Sequence, residues 1–117
     1  MSYLPCELHC HTVHSDGDFT VRQLEDSAVN DHLALIALTD HNTTSGCDEL
    51  NDSIIPSIKG IEWTSYFGHM LVLGVNGFVD WRDAVPDHID KKIDEVKENG
   101  SIVGIAHPYQ LGSPMCT

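Results

Sequence analysis

The stretch ELHCHTVHSDGD, residues 7–18, gathers three histidines within six residues and follows them at once with an Asp-Gly pair. A solvated loop does not need such a cluster, and in a core every ring nitrogen would require a partner. Residues i and i+2 of a β-strand face the same way, so His9 and His11 can bind one ion while Cys10 faces the opposite side. The stretch therefore predicts a strand and a turn that carry part of a metal site, with Asp16 folding back toward it.

Composition limits the function classes. The 117 residues are expected to form one domain with a modest core. The net charge is −12, and the six Lys and Arg residues form no basic stripe, which argues against strong binding to a nucleic-acid backbone. An excess of carboxylates suits a protein that holds several divalent cations, although solubility alone is the commoner reason for acidity.

The cysteines and the apolar runs bear on location. The sequence shows no signal peptide and no apolar stretch near the roughly 20 residues that span a bilayer. The four cysteines have neither a disulfide framework nor the spacing of a zinc ribbon. These features predict a cytoplasmic protein with reduced cysteines and no membrane partner.

Hydrophobic spacing predicts five strands and two helices. The strands are CELHCH (6–11), LALIALTD (33–40), a segment centred on 58–62, HMLVLGVNGF (69–78) and SIVGIAHP (101–108). The fourth strand is expected to run antiparallel to the third. Thr20 and Gln23 resemble a capping box that begins the first helix, and Pro86 and Gly100 bound the second. The apolar stripe of the first helix comprises Val21, Leu24, Ala28 and Val29. The alternation predicts an α/β fold that is mostly parallel.

Metal-capable side chains fall at one edge of this predicted sheet. They are His9, His11, Asp16, His41, Glu62, His69 and His107. Sites in parallel α/β folds are built at the edge where strands finish. Glu62 can bridge two ions through its two oxygens, and a mixed set of imidazole and carboxylate suits Zn, Mn or Fe.

Other polar residues leave alternatives open. Asp40 can orient a ligand or cap a strand end, and His14 can support a ligand or lie at the surface. We expect His32 and His88 to be exposed histidines near helix ends.

The ordered motifs LHCHTVHSDG, LTDHNTTSG, GIEWTS, GHMLVLGV and AHP resemble those of the PHP (polymerase and histidinol phosphatase) superfamily, nearest to its small, stand-alone metal-dependent phosphoesterases. The resemblance runs from Glu7 to Pro108. It implies a distorted seven-stranded β/α barrel with up to three divalent metals at the C-terminal edge of the strands. Residues 1–117 would be a single PHP domain, the N-terminal portion of such a barrel, with about five of the seven strands.

The resemblance also implies ligand sets for three ions. They are His9 and His11 with Glu62 bridging, then Glu62 with His69 and His107, and finally Asp16 with His41. Members of the family normally add a late Asp-x-His motif, which these 117 residues do not contain. The first and third ions would each lack a ligand.

The activity implied is hydrolysis of a small phosphate ester, nucleotide or short oligonucleotide by metal-activated water. The 117 residues alone are expected to bind metal but to hydrolyse phosphate esters weakly or not at all, and no catalytic residue is assigned. One alternative is a non-catalytic metal-binding fragment or regulatory remnant. Another is a PHP module associated with a DNA polymerase. Because five strands cannot close a seven-stranded barrel, the open sheet edge favours association, including homo-oligomers.

Overall fold

Five strands and three helical segments make up the computed structural model, which describes residues 2–77 and 79–110. The strands are β1 (Cys6–Cys10), β2 (Leu35–Leu38), β3 (Ser57–Ser65), β4 (Gly68–Leu73) and β5 (Ile102–Ile105). The helices are α1 (Val21–Asn30) and α2 (Ile89–Glu98), and a short 3₁₀ helix spans Ser45–Glu49. All of the predicted elements are therefore present. Within the described residues, neither α-helix is long and apolar enough to cross a membrane.

One curled sheet contains all five strands in the order β1-β2-β3-β4-β5. The first three strands are parallel, and β4 pairs antiparallel with both β3 and β5. This confirms the α/β fold and the reversal at β4. The sheet is thus less uniformly parallel than the strand-helix alternation indicated, because a tight hairpin joins β3 to β4 where a helical crossover would join parallel neighbours.

The strand β2 is the most deeply buried part of the sheet. Ile36, Ala37 and Leu38 are each 0% exposed. Ile36 packs with Ala28 of α1 and Leu38 packs with Val21, so α1 covers one face of the strand. A continuous apolar run is typical of a parallel strand that is buried on both faces, as predicted.

The helix α1 begins with the predicted capping box, in which Thr20 accepts a hydrogen bond from the backbone N–H of Gln23 and the Gln23 side chain binds the N–H of Thr20. The predicted apolar stripe is wrong at one position. Val29 is 45% exposed, whereas Glu25 is buried at 1% and accepts a hydrogen bond of 2.6 Å from the backbone N–H of Asn51. Glu25 thereby ties the helix to the segment that precedes β3.

The boundaries of the other elements also differ from prediction. The strands β1, β2 and β5 are shorter than the predicted segments 6–11, 33–40 and 101–108. The helix α2 begins at Ile89 and not at Pro86, which lies in a preceding turn. The strand β4 ends at Leu73 because Gly74 turns the chain with φ 75°. The strand β3 continues past Glu62 because its antiparallel pairing with β4 extends to the Ser65–Gly68 pair.

A close approach between three strands requires a glycine at position 60. A Cβ atom added to Gly60 would lie 2.8 Å from the Thr39 methyl carbon and 3.0 Å from the carbonyl oxygens of Leu38 and Val72. Two of these three atoms belong to the backbone and cannot rotate away. Gly60 therefore lets β2, β3 and β4 curl together beneath the strand ends.

We predict that Gly60→Ala destabilises the fold by about 1–3 kcal/mol, as overpacking of a core does, and lowers the melting temperature by several degrees. Gly104→Ala in β5 is the matched control, since nothing lies within 4 Å of its added Cβ. Thermal unfolding followed by circular dichroism compares the two variants. Equal losses of stability would show that the approach at Gly60 is not limiting.

Candidate metal centre

The carboxylate of Glu62 lies at the middle of a cluster of imidazoles and is 0% exposed. Its Oε2 atom is 2.8 Å from Nε2 of His9 and 3.0 Å from Nε2 of His11. The two Nε2 atoms are 3.1 Å apart. The i, i+2 spacing of these histidines thus brings both rings to one oxygen, as the strand geometry predicted.

The other oxygen of Glu62 contacts two further histidines. Its Oε1 atom is 2.9 Å from Nδ1 of His69 and 3.0 Å from Nε2 of His107. His69 reaches it from the start of β4, and His107 reaches it from two residues beyond β5. Both oxygens of one carboxylate therefore face a pair of ring nitrogens, which is the arrangement expected of a bridging ligand.

The loops that follow β1 and β2 bring a third group together. His41 lies with its Nε2 atom 3.5 Å from Oδ2 of Asp16, and Nδ1 of His11 is 3.8 Å from Oδ1 of the same carboxylate. The rings of His11 and His41 stack with centroids 4.4 Å apart. Gly17 permits this return of the loop, since a Cβ atom there would lie 2.3 Å from the carbonyl oxygen of His11.

Asp40 holds the first loop in place. Its buried carboxylate accepts hydrogen bonds from the backbone N–H of Thr12 (2.6 Å), the Thr12 hydroxyl (2.7 Å) and the Ser15 hydroxyl (2.7 Å). The sequence left open whether Asp40 orients a ligand or caps a strand end. These contacts show that the carboxylate of Asp40 holds the loop that follows His11.

Two contacts were not predicted. The Thr64 hydroxyl makes a short contact with Nδ1 of His41 and so directs Nε2 of that ring toward Asp16. The side chain of Asn42 in turn pairs with the backbone of Thr64 through bonds of 2.7 and 3.1 Å. A signal for Thr64 was present, because it lies two residues after Glu62 and therefore on the same face of β3.

The remaining histidines divide as follows. His14 pairs with Ser45 and Glu49 beside the centre. His32 and His88 are exposed, as predicted. His32 follows α1 with φ 58°, and His88 lies directly before α2.

None of the three cysteines among residues 2–77 and 79–110 supplies a thiolate to this cluster. Cys10 points away from His9 and His11 and donates to the carbonyl of Ala37 at 3.1 Å. Burial, with nearby carboxylates, raises the pKa of Cys10 to about 12, so the thiol stays protonated at neutral pH. Cys6, Cys10 and Cys47 are free, and Cys116 lies outside the described residues.

Electrostatics in the cluster favour an ionised carboxylate. Burial raises the pKa of Glu62, but hydrogen bonds with His11 and His9 outweigh burial and hold that pKa well below its usual range. The hydrogen bond with Glu62 raises the pKa of His11, while burial lowers the pKa of His41. Glu62 therefore keeps its negative charge although it is withdrawn from water.

These residues fit divalent metals. Nδ1 of His11 is buried and has no hydrogen-bond partner among the described residues. Donor atoms at about 2.0–2.2 Å from one tetrahedral ion lie about 3.3–3.6 Å apart. The spacings of 2.8, 3.0 and 3.1 Å among His9, His11 and Glu62 are shorter by a few tenths of an ångström. In three groups of residues, the donor atoms of each group all lie within 4.8 Å of one another. They are His9–His11–Glu62, His11–Asp16–His41 and His41–Glu62–His69. The structure thus brings all seven predicted residues together, and their role as ligands stays a prediction.

Known proteins resemble the chain in sequence. No family model matches it. A 3′,5′-nucleoside bisphosphate phosphatase of Chromobacterium violaceum is 35% identical over 78 residues, which cover 60% of this chain and 27% of the relative.

Solved structures resemble it in fold. A two-domain protein from Bacteroides vulgatus that contains a predicted PHP-like metal-dependent phosphoesterase matches 91% of this chain and 35% of its own, with 28% identity and a TM-score of 0.67. A protein from Bifidobacterium adolescentis described as a metal-dependent phosphoesterase matches 62% of this chain and 28% of its own (35% identity, TM-score 0.56). An amidohydrolase from C. violaceum, with bound sulfate and no metal, matches 80% and 32% (30% identity, TM-score 0.56).

The chain therefore spans about a third or less of the length of each of these proteins. The matches confirm the resemblance to the PHP superfamily and a fold that forms part of a PHP-type barrel.

We predict that Glu62→Gln lowers metal content more than loss of one histidine, because a bridging carboxylate neutralises two cations and an imidazole serves one. Elemental analysis of protein purified without chelator should find about one to three ions per chain. Loss of a residue that only hydrogen-bonds to a metal ligand lowers metal affinity by about 10–100-fold, and we expect Glu62→Gln to lower it at least as much.

His69→Ala is the comparison, and Glu98→Gln on the exposed side of α2 is the control for a lost carboxylate. Equal metal loss in Glu62→Gln and His69→Ala would contradict a bridging role.

Proposed function

Since the chain resembles the PHP superfamily in sequence and in fold, we propose that it forms the metal centre of a phosphoesterase that hydrolyses a small phosphate ester, nucleotide or short oligonucleotide. The observation that carries the proposal is Glu62, which is buried and has a pair of imidazole nitrogens within 3.0 Å of each oxygen. The structural carboxylate of Asp40 accepts from backbone and hydroxyl groups, whereas Glu62 has imidazole nitrogens, which are common metal ligands, beside both of its oxygens.

The proposed ligands fall into three sets. They are His9 and His11 with Glu62, then Glu62 with His69 and His107, and finally Asp16 and His41 beside His11. Nδ1 of His41 also lies 3.6 Å from Oε2 of Glu62, so His41 lies between Asp16 and the carboxylate of Glu62. The chemistry of the donors suits Zn, Mn or Fe.

Divalent ions at such a site would lower the pKa of bound water toward neutrality and neutralise the charge of a phosphoryl group. The protein residues do the positioning. Thr64 fixes the ring of His41, and Asp40 fixes the loop that carries Asp16. Glu62 is buried, so water does not compete with metal ions for its oxygens. Ligand side chains that are already fixed in place need no reordering when the substrate binds, and this lowers the free-energy barrier of the reaction.

The charge of the chain supports this division of labour. Only six Lys and Arg residues are present, against 18 Asp and Glu. A phosphate ester would therefore depend on the ions, and not on basic side chains, for neutralisation. The same balance disfavours a long nucleic acid as substrate and favours a small one.

The names of the relatives suggest which substrates to test. One relative is a 3′,5′-nucleoside bisphosphate phosphatase and one is an amidohydrolase. The assay therefore includes a 3′,5′-bisphosphonucleotide, p-nitrophenyl phosphate and, as an amide, p-nitroacetanilide, each with excess Mn.

We predict release of phosphate from the two phosphate esters and no release of p-nitroaniline. The 117 residues contain no Asp-x-His motif, so a longer version that carries one should be faster. A displacement of about 1 Å in a reacting group costs on the order of 100-fold in rate. Glu62→Gln should abolish hydrolysis in both versions, while Glu98→Gln should not change it.

Three results would contradict the proposal or part of it. Cleavage of the amide alone would indicate an amidohydrolase. Metal binding without hydrolysis in either version would indicate a binding or regulatory domain. Equal rates per site in the two versions would show that the late motif is dispensable.

A further inference from the structure

His14 joins the two loops that carry the outer ligands. It lies in the loop after β1, and both of its ring nitrogens contact the 3₁₀ helix that follows β2. Nδ1 is 2.9 Å from the Ser45 hydroxyl, and Nε2 is 2.6 Å from Oε1 of Glu49. Sequence spacing gives no hint of this contact, because the partners are 31 and 35 residues away along the chain.

The hydrogen-bond chemistry fixes the direction of each bond in the neutral ring. An ionised carboxylate only accepts, so Nε2 carries the hydrogen and donates it to Glu49. Nδ1 then accepts from the Ser45 hydroxyl, whose oxygen accepts in turn from the hydroxyl of Thr43 at 3.0 Å. Both ends of the imidazole are therefore held, and the ring cannot rotate without breaking a bond.

The ring is also held by packing. A Cβ atom added to Gly46 would lie 3.1 Å from Cδ2 of His14 and 3.0 Å from Oδ2 of Asp40. The backbone at Gly46 therefore fits closely against His14 and Asp40. Gly46 thus lies beside both of the side chains, Asp40 and His14, that hold the loop after β1.

Asp16 directly follows both attachments. It follows His14 by two residues, its side chain is 68% exposed, and its Oδ2 atom lies 3.5 Å from Nε2 of His41 in the other loop. Asp40 holds the loop at Thr12 and Ser15, and the backbone N–H groups of Ser15 and Gly17 donate to the carbonyl of Thr12, which closes the turn that carries Asp16. His14 adds the contacts that tie this turn to the loop after β2, which carries His41.

We propose that His14, with Ser45 and Glu49, positions Asp16 against His41 and thereby sets the affinity of the His11–Asp16–His41 group for a divalent cation. The inference rests on the proposed function only in taking these three residues as ligands. None of His14, Ser45 and Glu49 belongs to the proposed ligand sets. They act through the loop, and the Glu62 group keeps its geometry without them.

Four variants separate the effect of geometry on metal affinity from the effect of charge. Glu49→Ala removes the partner of Nε2, whereas Glu49→Gln removes the charge and keeps an amide oxygen that accepts the same hydrogen bond. Asp48→Ala is the matched control, because it removes a carboxylate from the same 3₁₀ helix. The side chain of Asp48 is 82% exposed, and among the ion pairs of the described residues it contacts only Lys59. His14→Ala removes the ring itself.

Titration calorimetry with Mn²⁺ and Zn²⁺, with elemental analysis, measures affinity and stoichiometry. We expect Glu49→Ala and His14→Ala to weaken one class of site by about 10–100-fold, the range for outer partners of ligands, and to leave the other ions bound. Glu49→Gln and Asp48→Ala should bind as the unaltered protein does. In metal-free protein, hydrogen exchange of a peptide covering residues 12–18 should accelerate in Glu49→Ala and not in Asp48→Ala.

Unchanged affinity in Glu49→Ala overturns the inference, and so does a loss in Glu49→Gln as large as in Glu49→Ala, since that would reflect charge. These results leave the proposed function standing. Metal binding that follows the expected pattern, without phosphate release in any version, upholds the inference and defeats the proposed function. Failure of the unaltered protein to bind either metal overturns both.

Discussion

A single buried carboxylate among imidazoles is the constraint around which the rest of this protein is arranged. An isolated ionised carboxylate in a protein interior costs far more free energy than a fold of this size can lose. Glu62 is tolerated because ring nitrogens from three other strands or strand ends reach its two oxygens. The curl of the sheet and the reversal at β4 both serve to bring those nitrogens within 3 Å or so of one residue.

Much of this arrangement could be predicted from local patterns. The period of two in β1 placed His9 and His11 on one face, and the apolar run of β2 predicted a strand covered on both sides. The rule that strand ends share an edge predicts that His41, Glu62 and His107 lie together. Each of these inferences needs only a few neighbouring residues and the geometry of a strand.

The contacts that local patterns missed join residues that are distant in sequence. Glu25 looks like a surface position of α1, yet it is buried because the backbone of Asn51, 26 residues away, donates to it. Asp40 binds a loop 28 residues earlier. Nothing in the residues adjacent to Glu25 or Asp40 encodes such contacts, which follow from how the loops pack once the sheet has formed. Val29 shows the converse, because an apolar side chain at the margin of a helical stripe can stay exposed when no neighbour covers it.

The hairpin between β3 and β4 has a consequence for the entropy of assembling the centre. Glu62 and His69 are 7 residues apart, whereas Glu62 is 53 residues from His9 and 45 from His107. The free-energy cost of closing a chain loop grows with the logarithm of its length, by about 0.6 kcal/mol for each doubling. The Glu62–His69 pair therefore closes the shortest loop of these three contacts. It can pre-exist as a local unit onto which the more distant histidines are added, so among the contacts of Glu62 it is the one that the unfolded chain most readily forms.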